Sequence, residues 1–251
     1  MATARRSKAK TTVTPAWAFR QQGDRCLSLD FGDKISVETG LQCLAAASVL
    51  RDALLPGVTD VVPSYTAVAV HFLPDPQSDG KVGAFDGLCA RITELLGNGL
   101  PQVAASSREI DIPVCYGGRH GPDLADVARA VGMTEDEVIA LHTAPGSMVF
   151  TLGFAPGLPY IGVHDAALNL PRRAVPRTAV AQGSVAIANR QTTIYPNVLP
   201  GGWHILGATP LILFDASRAR PALLMPGDRV RFVPISEQDF DRFTLEQGQR
   251  P

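Results

Sequence analysis

The sequence predicts an α+β protein built as two consecutive units, a helix-bearing sandwich followed by a strand-rich barrel. Three observations point there. Two amphipathic helical patterns lie within the first hundred residues, flanked by strand-like alternation. Glycine and proline are sparse between residues 24 and 55 and dense from 113 to 228, and these residues cut a chain into short elements. From residue 147 onward the patterned segments are short strands.

The first unit reads as follows. Residues 1–14 form a loose tail whose basic run, Arg5, Arg6, Lys8 and Lys10, is a solvated leader. Arg25–Phe31 alternates in part and is the first strand. Ser36 opens a helix with Val37, Leu41, Leu44, Ala45 and Val49 on one face, ended by Pro56-Gly57. Strands follow at Val58–Val62 and Ala67–Phe72. A second helix carries Val82, Phe85, Leu88, Ile92 and Leu95, and a strand near 103–112 closes the unit. Strand, helix, strand pair, helix, strand is the split βαβ order of a ferredoxin-like sandwich. Its helices cover one side of the sheet, so both apolar surfaces are buried. The first domain is placed at residues 15–105 and the second at 106–240, across a polar boundary near 97–107.

The second unit opens with the strand-like segment 109–116. Pro122 suits the first turn of a short helix, Asp123 suits its positive end, and Leu124, Val127 and Ala128 face the core. Thr134 and Glu137 form a capping box for another short helix. Strands are expected at 147–152, 185–189, 192–195, 203–206, 211–214 and 229–233, with a turn at Met225–Asp228. Ser236 caps a terminal helix containing Phe240 and Phe243. Many short strands with Gly/Pro turns suggest a closed or nearly closed barrel.

Composition excludes several classes of function. The 251 residues are 45% apolar with a net charge of -1, which gives no broad attraction to nucleic acid or anionic membrane. No run is long enough to span a bilayer, and the basic start lacks the apolar segment of a secretory signal. Cys26, Cys43, Cys89 and Cys115 are widely spaced in apolar stretches, so reduced thiols and a cytoplasmic location are expected. There is no HExxH pattern or Cys/His cluster, and no metal site is expected. Walker A and dinucleotide fingerprints are absent, and Ser184 lacks a nucleophile-elbow context.

Four segments concentrate chemistry. Tyr116–Asp123 surrounds Arg119, His120 and Asp123 with glycines, either a functional loop or a plain turn. Gly153–Tyr160 (GFAPGLPY) places Phe154, Pro156, Gly157 and Tyr160 in a stiff loop, either a pocket wall or a barrel corner. Pro171–Arg177 (PRRAVPR) offers arginines for a carboxylate or phosphate, or is simply solvated. Gln191–Trp203 collects Gln191, Tyr195, Gly201, Gly202 and Trp203, which suits a binding site or subunit contact, or a Trp plugging the barrel. These residues alone form no complete catalytic set.

The chain resembles the subunit-1 family of allophanate hydrolase-like proteins, also known as a kinase-inhibitor family. The resemblance rests on segments in series: Val62-Pro-Ser-Tyr65, Gly117-Gly118, Gly121-Pro-Asp-Leu124, Leu141-His142 and Leu152-Gly-Phe154. It continues with Pro156-Gly157, Pro159-Tyr160, Pro171-Arg172, Pro176-Arg177, Gly183-Ser-Val185, Gln191-Thr192, Ile194-Tyr-Pro196, Pro200-Gly-Gly-Trp203 and Pro226-Gly-Asp228. It implies a ferredoxin-like domain followed by a cyclophilin-like β-barrel. It also implies a subunit that acts with a homologous subunit 2 and a third subunit to hydrolyse 5-oxoproline to glutamate at the expense of ATP. ATP with Mg would be bound mainly by, or shared with, the partners, with none held tightly by this chain alone. Without its partner the chain would self-associate or stand alone. Other members imply alternatives: a module inhibiting a sensor histidine kinase, or a carboxyltransferase component of a biotin-dependent, urea carboxylase-like system.

The chain departs from the family pattern at Arg119, where Glu is common. It departs again at Leu206-Gly-Ala208-Thr209, where Arg is common, and at Asn189 and Thr193, where Gly is usual. Arg190 is a candidate to replace the missing arginine. Within this reading His120 and His142 are candidate proton movers, Asp123 orients one of them, and Arg173 and Arg177 clamp the substrate carboxylate.

Overall fold

The computed structural model describes residues 17–73, 84–97, 99–101 and 108–248. The tail at 1–14, Val82 and the boundary residues 102–107 lie outside the described residues.

The first unit is an antiparallel sheet of β1 (Ala18–Gln21), β2 (Cys26–Asp30), β3 (Val58–Pro63) and β4 (Ala67–Phe72), in the order β1-β2-β4-β3. Helices α1 (Val37–Asp52) and α2 (Ala84–Leu96) pack on it. The chain passes from β2 through α1 to β3, and β4 returns between them, which is the expected split arrangement. Of the predicted closing strand near 103–112, residues 103–107 lie outside the described residues and the described part does not join this sheet. Residues 109–116 go to the barrel instead, and the edge beside β2 is taken by β1, a short, mostly exposed strand lacking a sequence signal.

Ser36 caps α1, its Oγ accepting from Thr39 N at 3.1 Å. The helix buries Gly40, Cys43, Ala45, Ala46, Ala47 and Leu50, so of the predicted stripe Ala45 is buried and Val49 packs against the core, while Val37 is exposed. The reason is that α1 is covered from more than one side. Cys43, Ala46, Ala47 and Leu50 join the core of the sheet. Gly40 meets the Phe150 ring, where a Cβ would stand 2.6 Å from Cε1, and Leu44 approaches Gly227. A helix apolar around most of its girth hides its periodicity. In α2, Leu88, Ile92 and Leu96 are buried, whereas Leu95 is exposed.

The second unit begins with β5 (Glu109–Tyr116), α3 (Leu124–Val131) and α4 (Glu135–His142). Next come β6 (Ser147–Leu152), β7 (Pro159–Gly162), β8 (Arg177–Val180), β9 (Ser184–Ala188) and β10 (Gln191–Ile194). The chain ends with β11 (Leu199–Gly201), β12 (His204–Ala208), β13 (Arg229–Pro234) and α5 (Glu237–Gly248). Seven strands close a barrel in the order β10-β7-β6-β13-β5-β12-β9. Neighbours are antiparallel except β5 and β13, which run parallel. Ile112, Val114, Val149, Ile161, Val185, Ile194, Val230 and Phe232 fill the core. Alternation of Ile110, Ile112 and Val114 toward that core explains why β5 belongs here.

The Thr134–Glu137 capping box is present in both directions. The segment 211–214 forms only an isolated bridge, Phe214 to Ala222. β7, β8 and β11 lie in segments read as loops, because Pro and Gly interrupt their alternation. β8 and β11 pair as a separate ribbon.

Candidate functional site

The β8–β11 ribbon joins two of the sequence-predicted segments. Gly201 pairs with Arg177, and Arg173 N donates to Gly202 O at 2.7 Å. The loop 153–158 turns through Gly157, whose φ is 75°, and closes on the same place. Three separate segments thus enclose a cavity of about 290 Å³. Phe154, Leu158 and Tyr160 form one wall, Arg172, Arg173 and Pro176 another, and Thr193, Tyr195 and Pro200–Trp203 the rest. Gly201 is required there, since a Cβ would overlap the Tyr195 hydroxyl. Phe154 takes φ 69°, a region that disfavours bulky residues, and the residue is 69% exposed.

Beside this cavity sits one carboxylate, Asp123, only 3% exposed. Its Oδ1 accepts from Arg173 Nη1 at 3.0 Å and Arg177 Nη2 at 2.7 Å. Its Oδ2 accepts from Arg177 Nη1 at 2.8 Å and from Ile205 N at 2.7 Å. Burial pushes the Asp123 carboxyl up, but the Arg177 and Ile205 donors outweigh it and hold it below the usual range. The predicted role for Asp123, orienting a histidine, is therefore replaced. Its carboxylate is consumed by two arginines and a backbone N–H, and it makes no side-chain cap on α3. Arg173 and Arg177 are likewise committed to Asp123. Arg172 differs: it lies 5.8 Å from the Trp203 ring centroid and makes no ion pair among the described residues.

Two buried polar atoms here are unpartnered. Thr193, 2% exposed, and Arg173 Nε have no hydrogen-bond partner among the described residues. An aromatic row links the cavity to the first unit. Tyr65 lies 5.0 Å from Phe150 and 6.2 Å from Tyr160, and Tyr160 lies 6.0 Å from Trp203, between ring centroids. Tyr65 OH donates to Gln191 Oε1 at 2.7 Å, so Gln191 contacts the first unit instead of lining the cavity.

The two candidate histidines are elsewhere. His142 is fully buried. Its Nδ1 meets Tyr116 OH at 2.7 Å and its Nε2 meets Thr192 Oγ1 at 2.9 Å. His164 Nε2 reaches the same hydroxyl at 2.6 Å, with the imidazoles stacked 4.8 Å apart. One hydroxyl proton serves both rings, so Thr192 donates to one and accepts from the other. Burial pushes His142 well below its ordinary value and His164 down to about 4, which keeps both neutral near pH 7. His120 packs on Phe240 of α5, with centroids 4.2 Å apart.

Arg119 pairs with Glu237 and, at 2.9 Å, with Asp241 of α5. Its reversed charge is thus matched by a helix. Arg190 does not compensate at the segment after Trp203; its Nε donates to His164 O at 2.9 Å.

The cavity lining contains no carboxylate, histidine, cysteine or serine. Burial pushes the Tyr195 phenol up, so it holds its proton. The arrangement can accept a small anion with a flat apolar body, and the described lining offers no general base. Of the described lining cations, Arg173 is paired with Asp123 and Arg172 is free of an ion pair. Among the described residues no group of three His, Cys, Asp or Glu is placed to hold a metal. No described helix is long and apolar enough to cross a membrane. Sequence reasoning missed Tyr65 as a site neighbour and did not separate Arg172 from its neighbours; nothing local distinguishes three arginines in one loop.

Residues 17–224 match the family described as carboxyltransferase domain, subdomain C and D. The chain is 35% identical over 244 residues to the B-type subunit of 5-oxoprolinase from Bacillus subtilis, covering 94% of this chain and 100% of that protein. It is 43% identical over 218 residues to the corresponding 5-oxoprolinase subunit of Escherichia coli, covering 86% and 94% respectively. The crystal structure of TTHA0988 superposes with a TM-score of 0.71 at 39% identity, over 84% of this chain and 40% of that one.

Proposed function

Since this chain belongs to the carboxyltransferase domain, subdomain C and D, family, we propose that it is the B-type subunit of an ATP-dependent 5-oxoprolinase. The observation that carries the reading is the match, at 35% identity, across the whole length of the B-type 5-oxoprolinase subunit of Bacillus subtilis. The site supports it from the other side. A cavity that can accept a small anion but whose described lining offers no base suits a subunit, not a self-sufficient enzyme.

5-Oxoproline is a five-membered lactam bearing a carboxylate. Resonance makes its amide carbon a poor electrophile, and ATP supplies the activation by phosphorylating the amide oxygen. This chain's part is to bind and orient the lactam and to exclude water from its apolar face. A homologous subunit 2 and a third subunit hold ATP and its Mg and bring the proton-transfer groups. Phe154, Val175 and Val198 are 69%, 75% and 66% exposed. Phe154 lines the cavity, and Val175 and Val198 stand one and two positions along the chain from the lining residues Pro176 and Pro200, an exposed apolar set that we read as a rim of the opening. Such a rim suits a subunit contact, and docking there would deliver the missing groups to the bound substrate.

The test is co-expression of this chain with both candidate partners and an assay of ATP-dependent conversion of 5-oxoproline to glutamate. Turnover that vanishes when this chain is omitted supports the proposal. Undiminished turnover without it refutes the proposal.

A further inference from the structure

We infer that the cavity between the 153–160, 171–177 and 193–203 segments is the recognition site for the cyclic amide acid, with Arg172 taking its carboxylate and Thr193 and Arg173 Nε meeting its amide. The inference rests on the 5-oxoprolinase reading and gives it a site.

Three independent observations converge. The first is charge. Arg173 and Arg177 share the single carboxylate of Asp123, and Arg172 lines the same cavity beside Arg173. The wall therefore keeps positive charge, and Arg172 alone of the three is not engaged by a carboxylate among the described residues. Its guanidinium carbon stands over the Trp203 ring, a contact that does not use its N–H donors. A planar fork with free donors matches a carboxylate in two hydrogen bonds.

The second observation is the unpaired polarity. A buried hydroxyl without a partner destabilises a free protein by roughly 1–3 kcal/mol, so such groups call for an explanation. Thr193 Oγ1 and Arg173 Nε are both buried and unpartnered, and both residues line the cavity. A lactam offers what they lack. With those side chains turned toward the cavity, since both atoms lie just behind its accessible surface in the free chain, the lactam carbonyl oxygen accepts from Arg173 Nε–H or the Thr193 hydroxyl, and its N–H donates to Thr193 Oγ1. The third observation is shape. About 290 Å³ is at the small end of ligand cavities. Tyr160 and Trp203 offer apolar faces for the two ring methylenes.

The assignment departs from the sequence expectation, which placed the carboxylate on Arg173 and Arg177. Those two already share a buried carboxylate, and redirecting either would leave Asp123 short of a cation.

The test uses the assembled complex with 5-oxo-L-proline as the varied substrate. Arg172→Gln should raise KM roughly ten- to hundredfold, the loss of a charged hydrogen-bonded pair, with kcat changed far less. Arg172→Lys should recover part of that loss. Thr193→Val should raise KM several-fold while leaving the melting temperature of the chain equal or higher, because it removes an unsatisfied buried group. A purely structural residue would not show that opposition. 2-Pyrrolidinone, which lacks the carboxylate, should inhibit wild type and Arg172→Gln equally. An unchanged KM in Arg172→Gln at wild-type melting temperature overturns the site, as does Thr193→Val lowering both stability and kcat with KM intact. These failures are distinct from failure of the function. An assembly that needs this chain for turnover but ignores both substitutions refutes only the site, whereas turnover without the chain refutes the function.

Discussion

Two arginine-bearing loops of the barrel domain look alike in sequence and differ in what their charges do. In the 117–123 loop, Arg119 points to α5 and is taken up by Glu237 and Asp241. His120 beside it packs on Phe240. Gly121 lies so close to β12 that a Cβ would overlap the Leu206 carbonyl oxygen. The loop is a clasp for the terminal helix. In the 171–177 loop, Arg173 and Arg177 share one buried carboxylate, and the third arginine, Arg172, is left lining the cavity. The lesson is that a cation becomes a candidate for ligand binding when local acids are already saturated, not merely when it sits among glycines and prolines.

The largest effect should come from the carboxylate that commits the second loop. Asp123→Ala leaves Arg173, Arg177 and the Ile205 N–H without their partner, and such a loss costs about 3–5 kcal/mol. Urea denaturation should show it as a lower midpoint. A loss under 1 kcal/mol would mean that the arginines are not organised by Asp123.

Next in size is the buried histidine pair, which marks the contrast between closed polar clusters and the open cavity. Both imidazoles have folded-state values below the ordinary 6.5. As pH falls, the unfolded chain takes up protons first, so stability is full above about 6.5 and declines toward 4. A drop from 6.5 to about 4 at His164 corresponds to roughly 3 kcal/mol. Thermal melts between pH 7 and 4 should fall accordingly, and His164→Gln should flatten that slope. An unchanged slope in the variant would place the titration elsewhere.

The smallest effect belongs to the clasp. Arg119 and its partners Glu237 and Asp241 are exposed, and exposed pairs contribute under about 1 kcal/mol. Arg119→Ala should leave KM unchanged and shift the melting temperature by a few degrees at most.

Much of this was legible in the sequence where the signal is local. The caps at Ser36 and Thr134, the split strand–helix order and most barrel strands follow from residues within a few positions of one another. What was not legible depends on distant pairing. Asp123 meets Arg177 across 54 positions, so neither residue's environment reveals that they neutralise each other. Helix α1 hid its buried face because both sheet and barrel cover it. β1 carried no pattern because most of it stays exposed. Site residues were legible as a set: the GFAPGLPY, PRRAVPR and IYPNVLPGGW segments do meet. His120, His142 and Gln191 were drawn in by their chemistry but are placed on α5, in the barrel interior and against Tyr65.

The contrast between the two loops reduces to Arg172 and Arg119, and one measurement separates them. Phenylglyoxal modification of the assembled complex, followed by peptide mass spectrometry, reads each arginine separately with and without saturating 5-oxo-L-proline. The account predicts that the substrate protects Arg172 and leaves the labelling of Arg119 unchanged. Labelling of Arg172 that the substrate does not alter would contradict it.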